Sequence, residues 1–448
     1  MNAKEKQRKI LLPVNAFGRE FDGKLLLALL SHERGFHSFL GAKTALHKKL
    51  QQLSPMLYVA KSAHTKSAEF FAQLRRSGNQ IAVLDEESLV RQSDEIYLMK
   101  HHRDALKNVA FLLTWGEDDQ NLWRSSGLLH QASAAAVGNP RVDMLRPAMR
   151  SYYDAEVSSI TDRFGDYVLI NTNFPVVNNY ITLGDHLSLA DKTDYATSER
   201  QKFLNYKRGI FERFKDVIPD LSKHIYPRNL IIRPHPSELQ EPWLEVAKGL
   251  GNVHVILEGS VVPWLIGARA LIHNGCTSAI EYALLDKVPL SYRSGHSGEY
   301  ENSLPNKLSV ACPTKAALLR ELSLILRAKK SGLPEAQRQI LNGHIEIEDT
   351  RLCGEAILDA VNGSGPYRQS RPWFSDLHGA WREGLTFIRK FRKSFHTDKT
   401  RKRADNRNKF PDFGTDYVDA RIKRFQDCLD RFHGMRSRQV ARRLFEIV

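Results

Sequence analysis

Two short stretches carry the residues best suited to chemistry. Arg233-Pro234-His235-Pro236-Ser237-Glu238 follows the apolar run at 229–232, and His273-Asn274-Gly275-Cys276-Thr277-Ser278 follows that at 268–272. Short apolar runs bounded by turn residues read as buried parallel strands, whose carboxyl ends form the ligand-binding rim of open α/β sheets. Arg233 offers a planar fork that matches a phosphate. The Gly-x-Thr-Ser turn opens a helix, where free N–H groups and the dipole favour an anion. His235, between two prolines, can donate to a phosphate oxygen. A nucleotide-phosphate site is therefore expected from Arg233, His235, Pro236, Asn274, Thr277 and Ser278. In a purely structural alternative, His235 caps a turn and Arg233 pairs with Glu238 or Glu281.

Catalysis also needs a base or nucleophile, and carboxylates at other strand ends supply candidates. Glu117 follows an apolar strand and Trp115-Gly116, and Glu20 lies in the loop after the first strand. These two are the expected catalytic carboxylates beside His235. Asp85-Glu86-Glu87 is read as opening a helix, where acids suit the dipole. Arg19, Asp22 and Lys24 are candidates to hold an acceptor or a sugar carboxylate, with Asp22 better suited to cap a helix from Lys24 to Arg34. Asn171 and Asn173 are placed to read sugar hydroxyls, although Asn also suits turns. Ser260 either touches the nucleoside or caps the helix that follows it. Cys276 is expected to be a small buried residue.

The elements that must position these residues alternate between strand and helix. Strands are expected at 9–14, 55–59, 80–84, 110–114 and 135–137, and again at 166–170, 229–232, 253–257, 268–272 and 288–292. This alternation implies an α/β architecture of two facing, doubly wound Rossmann-like units. The expected domains are 1–150, the acceptor unit, 151–345, the nucleotide-sugar donor unit, and 346–448, a basic helical tail partly packed back on the body. The change of unit is placed near Arg146–Arg163.

Composition narrows the class. The chain has 448 residues and a net charge of +15, of which residues 361–448 carry 21 Lys/Arg and 10 Asp/Glu. The tail thus holds most of the excess positive charge, which argues against nucleic acid as a ligand of the body. Four scattered cysteines fit neither a disulfide framework nor a zinc site, and the 17 histidines show no metal-binding spacing. No cofactor and no metal are expected. The amino terminus is too polar for a secretory signal, and no apolar stretch is long enough to span a bilayer. A cytoplasmic protein is expected, peripheral to the inner membrane if the amphipathic stretch at 381–395 meets an anionic leaflet.

Taken together, residues 12–24, Trp115-Gly116-Glu117, 138–143, 171–174, 233–238, 258–260 and 273–278 resemble bacterial surface carbohydrate biosynthesis proteins. The resemblance covers roughly residues 9–310 and extends more weakly to Lys409-Phe410-Pro411. These proteins are similar to GT-B glycosyltransferases that use CMP-activated ulosonic acids of the Kdo or sialic acid type. The resemblance implies that the His235-Pro236 pair contacts the CMP phosphate and that Thr277-Ser278 completes its site. It also implies an acidic sugar as donor, and as acceptor a glycan of a lipopolysaccharide, O-antigen or capsule, commonly lipid-linked. A UDP-sugar 2-epimerase or polyol-phosphate transferase on the same scaffold, and a non-catalytic scaffold of glycan assembly, are the alternatives.

Overall fold

A computed structural model of the chain describes residues 8–179, 194–295, 300–328, 332–362 and 410–448. The polar amino terminus through residue 7 and the stretches at 381–395 and 397–409 lie outside them. The chain divides into two units. One comprises the described residues of Met1–Ser88, Tyr97–Met144 and His344–Val448, the other those of Leu89–Ile96 and Leu145–Gly343.

The first unit is built on an eight-stranded sheet. Six strands are parallel: β1 (Lys9–Val14), β2 (His37–Ala42), β3 (Leu57–Ala60), β4 (Gln80–Leu84), β5 (Phe111–Thr114) and β6 (Ser133–Ala136). The order β2-β1-β3-β4-β5-β6 reverses direction between β1 and β3, which makes their carboxyl ends a topological switch point. Strand β2 was not among the expected strands, since Gly41 and a polar start dilute its apolar pattern. The first helix runs Phe17–Glu33, beginning seven residues before the expected Lys24. Its early start follows from Glu20, whose carboxylate accepts the N–H groups of Asn15 (3.0 Å) and Ala16 (3.3 Å). Asp22 therefore lies inside the helix and is not its cap.

The carboxyl-terminal segment corrects the expectation of a helical tail. A helix does form at Thr415–Leu429, burying Val418, Ile422 and Phe425. Beyond it, however, β13 (Ser437–Ala441) and β14 (Leu444–Ile447) form a hairpin, and β14 pairs antiparallel with β2. The hairpin covers the edge of β2 that a parallel sheet would leave open. Leu444, Phe445 and Ile447 are essentially fully buried, each contributing about 1.5–3 kcal/mol of apolar burial. Around the start of the first helix, Phe410, Phe413 and Tyr417 surround Phe17 and Phe21, with Phe17–Phe413 centroids 5.0 Å apart. Arg421 donates to Asp22 at 3.0 Å, so Asp22 anchors this segment. Residues 344–362 join the same unit, because Asp143 accepts the N–H groups of Cys353 and Gly354 at the start of the helix Cys353–Asn362.

The second unit carries a six-stranded parallel sheet of β7 (Tyr167–Asn171), β8 (Asn229–Arg233), β9 (Val253–Val255), β10 (Ala270–His273), β11 (Leu290–Tyr292) and β12 (Val310–Cys312). The order β12-β11-β10-β7-β8-β9 puts its switch point between β7 and β10. Val168, Ile170, Leu230, Ile232, Ala270 and Ile272 line one face of the sheet and pack on Phe211, Phe214 and Ile218 of the long helix Asp194–Ile225. The longer segment of this unit begins at Leu145 and takes in the helix Asp154–Phe164.

Gly41 tests the hairpin. A Cβ at this position would overlap the Arg443 carbonyl and lie 2.8 Å from Leu444 Cα. Gly41→Ala should therefore push β14 off β2 and cost on the order of 1–3 kcal/mol in urea unfolding. An unchanged midpoint would show that β14 does not pack there.

Candidate nucleotide-sugar site

In the second unit the candidate residues gather at the carboxyl ends of β7, β8 and β10. Glu238 organises them. Its carboxylate is completely buried and accepts hydrogen bonds from Phe174 N (2.8 Å), Thr172 Oγ1 (2.9 Å), Trp243 Nε1 (3.1 Å), His235 N (3.3 Å) and Asn178 Nδ2 (3.4 Å). Burial pushes its pKa up, and the donors only partly offset that cost. The loop after β8 is thereby tied to the loop after β7. His235 crowns this turn, half-buried, with Nδ1 accepting the N–H of Ser237 at 3.2 Å. An Nδ1 that accepts places the ring proton of the neutral imidazole on Nε2. Pro236 beside it is exposed.

Arg233 takes a different role from either expectation. Its guanidinium donates to the carbonyls of Glu258 (2.8 Å) and Gly259 (3.2 Å) and lies 4.8 Å from the centre of the Trp264 ring. Burial lowers its pKa to about 10, against the opposing effects of Tyr167 and Glu258. Arg233 thus fixes the loop after β9, and pairs with neither Glu238 nor Glu281. At the end of that loop Ser260 caps the helix Val261–Gly267 by accepting the N–H of Val262.

The loop after β10 is stitched to the loop after β7 by Asn274. Its side chain accepts the N–H of Asn173 at 2.9 Å and donates to the Asn173 carbonyl at 3.2 Å. Gly275 adopts φ +84°, a left-handed conformation that favours glycine. His273 is fully buried, and its pKa is lowered to about 3 by burial and by Arg293. It accepts from Gly275 N and hydrogen-bonds Ser309, a structural role. Cys276 is buried against Ser278, Sγ to Oγ 2.6 Å, so the Ser278 hydroxyl faces the thiol. Thr277 is the first residue of this turn, and its hydroxyl makes no capping bond. Asn171, at the tip of β7, keeps a buried Oδ1 without a hydrogen-bond partner.

In the first unit, the rim carries a buried charge network that the candidate carboxylates only partly foreshadow. Glu20 accepts from Lys24 at 2.8 Å, and Lys24 also donates to the Pro13 carbonyl at 2.7 Å and lies 3.6 Å from Glu86. Arg141 reaches the other oxygen of Glu86 at 3.4 Å, and Arg19 donates to the Glu86 carbonyl at 3.0 Å. Burial alone would raise the Glu20 pKa, but Lys24 and the Asn15 N–H outweigh it and hold the carboxylate at about 2. Glu20 is thus firmly ionised. Glu117 is exposed at the first position of the helix Glu117–Ser125, where an acid suits the dipole.

Residues 85–87 open no helix. Asp85 instead accepts from Tyr97 (3.0 Å), His101 (3.1 Å) and Glu87 N (2.9 Å), while its carbonyl takes the Trp115 indole N–H. Glu86, Arg141 and Glu238 were absent from the expected site. Each is an ordinary charged residue near a turn, and only its burial reveals its part. Among the described residues, no group of three or more His, Cys, Asp or Glu is arranged to hold a metal, and no helix is long and apolar enough to cross a membrane.

Two substitutions probe these networks. Glu238→Gln replaces one acceptor oxygen with a donor facing donors, and should cost about 1–3 kcal/mol in chemical denaturation. Wild-type stability would show that the knot is dispensable. Because the Glu20 pKa is depressed in the folded state, its contribution is present above its ordinary 4.5 and is lost as pH falls toward 2. Glu20→Gln should therefore cost about 3 kcal/mol at pH 7 and much less at pH 3. A deficit independent of pH would refute the ion pair.

No family model matches the chain, and no curated protein does. Among solved structures, the wall teichoic acid polymerase TagF, determined with CDPG, aligns over 80% of this chain and 89% of its own at a TM-score of 0.51 and 10% identity. A second TagF structure gives 0.50, covering 80% and 90%, again at 10% identity. The UDP-GlcNAc 2-epimerase of Methanocaldococcus jannaschii, in complex with UDP-GlcNAc and UDP, aligns over 80% of this chain and 99% of its own at 0.48 and 14% identity. At such identities the TagF likeness carries the fold alone, which is α/β and GT-B-like, built on two sheets of mostly parallel strands.

Proposed function

We propose that the chain is a glycosyltransferase that moves an acidic, ulosonic-type sugar from a CMP-activated donor to a bacterial surface glycan. The observation that carries the reading is the clamped His235 turn at the carboxyl end of β8. A neutral imidazole with its proton on Nε2 is a suitable donor to the oxygen of a departing phosphate. As the bond to the anomeric carbon breaks, negative charge gathers on that phosphate. A positioned acid contributes about 10²–10⁴-fold at this step. Thr277, with the first N–H groups of its helix, is proposed to hold the remaining oxygens. Ser278 joins it once its hydroxyl turns from Cys276. Arg233 acts indirectly by fixing the loop at 258–260, and Pro236 presents the histidine.

The unpaired Oδ1 of Asn171 is proposed to accept from a sugar hydroxyl, since a buried acceptor left without a donor is costly. Asn173 is proposed as its neighbour in that contact. Of the two carboxylates, Glu117 is the open one and is proposed as the base that activates the acceptor. Glu20 is proposed as a fixed negative charge that organises Lys24 and Arg19. No metal or cofactor takes part in this scheme. The acceptor is proposed to be a lipid-linked glycan met at the inner face of the membrane.

The likeness to TagF supports a second reading, transfer of a polyol phosphate from a CDP-linked donor. Calorimetric titration of CMP, UDP, CDP and GDP separates the two. The transferase reading expects selective CMP binding, weakened at least tenfold, about 1.4 kcal/mol, in His235→Ala with the circular dichroism unchanged. Selective CDP binding would move the assignment to the second reading. No nucleotide binding would refute both and leave a non-catalytic scaffold.

A further inference from the structure

Two lysines of the first unit, Lys43 and Lys61, follow the strands on either side of β1. Register places them at the switch point. Ala42 pairs with Val14, so Lys43 is the first residue past the end of β2. The pairing of Ile10 with Leu57 and Leu11 with Tyr58 brings Lys61 level with Val14, at the end of β3. Lys43 and Lys61 therefore flank the end of β1 from either side, two strand spacings or about 10 Å apart at the backbone. Long, flexible side chains close that distance readily.

The other rim cations are occupied. Lys24 is buried between Glu20, Glu86 and the Pro13 carbonyl, and Arg141 lies against Glu86. Among the described residues, the Lys61 ammonium has only a long contact to Glu87, 3.7 Å. Lys43 is exposed and makes no hydrogen bond or ion pair among the described residues. Glu20, Glu86 and Glu87 are thus engaged by Lys24, Arg141 and Lys61, while Asp85 is matched by His101. Partial desolvation, then Lys61 and Lys24, push the Lys43 ammonium below its usual pKa, and Glu20 opposes them. These are the marks of a positive field lacking its counter-ion.

We infer that Lys43 and Lys61 form an oxyanion site at the β1/β3 switch point, which takes the carboxylate or phosphate of the acceptor. The acceptor assignment rests on the transferase reading, whereas the anion site itself does not. Lys24, the expected anion ligand, instead acts as the buried counter-charge that keeps Glu20 and Glu86 from neutralising the site.

The test uses the full chain with reductively ¹³C-methylated lysines, the Lys43 resonance being assigned by its loss in Lys43→Arg. Glycerol 3-phosphate and N-acetylneuraminic acid serve as phosphate and carboxylate probes, and the half-buried Lys49, whose ammonium donates to Gln52 at 3.0 Å, as the control. The Lys43 resonance should titrate below the ordinary lysine range. It should shift saturably with at least one probe, the better probe identifying the anion. Lys61→Met should weaken that binding at least threefold and leave nucleotide binding by the second unit unchanged. A shift that does not saturate, or one equal to that of Lys49, would overturn the site. Loss of nucleotide binding in His235→Ala with the Lys43 response intact would separate the two sites.

Discussion

A carboxylate that is completely buried, without a cation, holds the candidate site of the second unit together. Taking a carboxylate out of water costs several kcal/mol, whereas each hydrogen bond to a charged group returns only about 1.5–3 kcal/mol. Glu238 meets this balance with donors from the loop after β7, the turn after β8 and the helix bearing Trp243. Burial still pushes its pKa up against the lowering effect of these donors. That is the cost of a fixed turn. With Glu238 in place, His235 has its backbone anchored, its Nδ1 held by Ser237 and the position of its proton defined. Asn274 and Arg233 apply the same economy, using side chains to satisfy neighbouring backbone and so immobilise the other loops of the rim.

The first unit solves its rim problem with charge pairs. Glu20, Lys24, Glu86 and Arg141 are all at most 7% exposed, so the removal of any one leaves a partner uncompensated. The network also explains why the carboxyl-terminal segment matters to it. Phe410, Phe413 and Tyr417 close over Phe17, and Arg421 holds Asp22, on the same two turns of helix that carry Arg19 and Glu20. A segment some four hundred residues distant in sequence thus supports the orientation of the rim helix.

Much of the fold was legible from the sequence. Strands β1, β4 and β8 fall within a residue of their expected limits, because continuous apolar runs ending in polar turns admit few other readings. Strands β2, β12, β13 and β14 were not legible. Their apolar residues are few and interrupted by polar or small ones, and β14 is ordered by pairing with β2. Local pattern does not encode a partner so remote. The helix start was misplaced for a related reason: Asp22 has the chemistry of a cap, but Glu20, reaching back to Asn15 and Ala16, fixes the true beginning.

The sequence by itself determined which residues gather at the strand ends, since a parallel strand followed by a turn must deliver its next residues to the carboxyl rim. His235, Asn274 and Thr277 were identifiable on that basis. Only the tertiary structure decided what each one does there. Arg233 turned to backbone carbonyls and Lys24 to Glu20 and Glu86, while Glu238, unremarkable in sequence, became the anchor. The physical reason is that the role of a charged side chain depends on burial and on the partners within about 3–4 Å. Those are properties of packed neighbours from distant segments, not of the local order of residues.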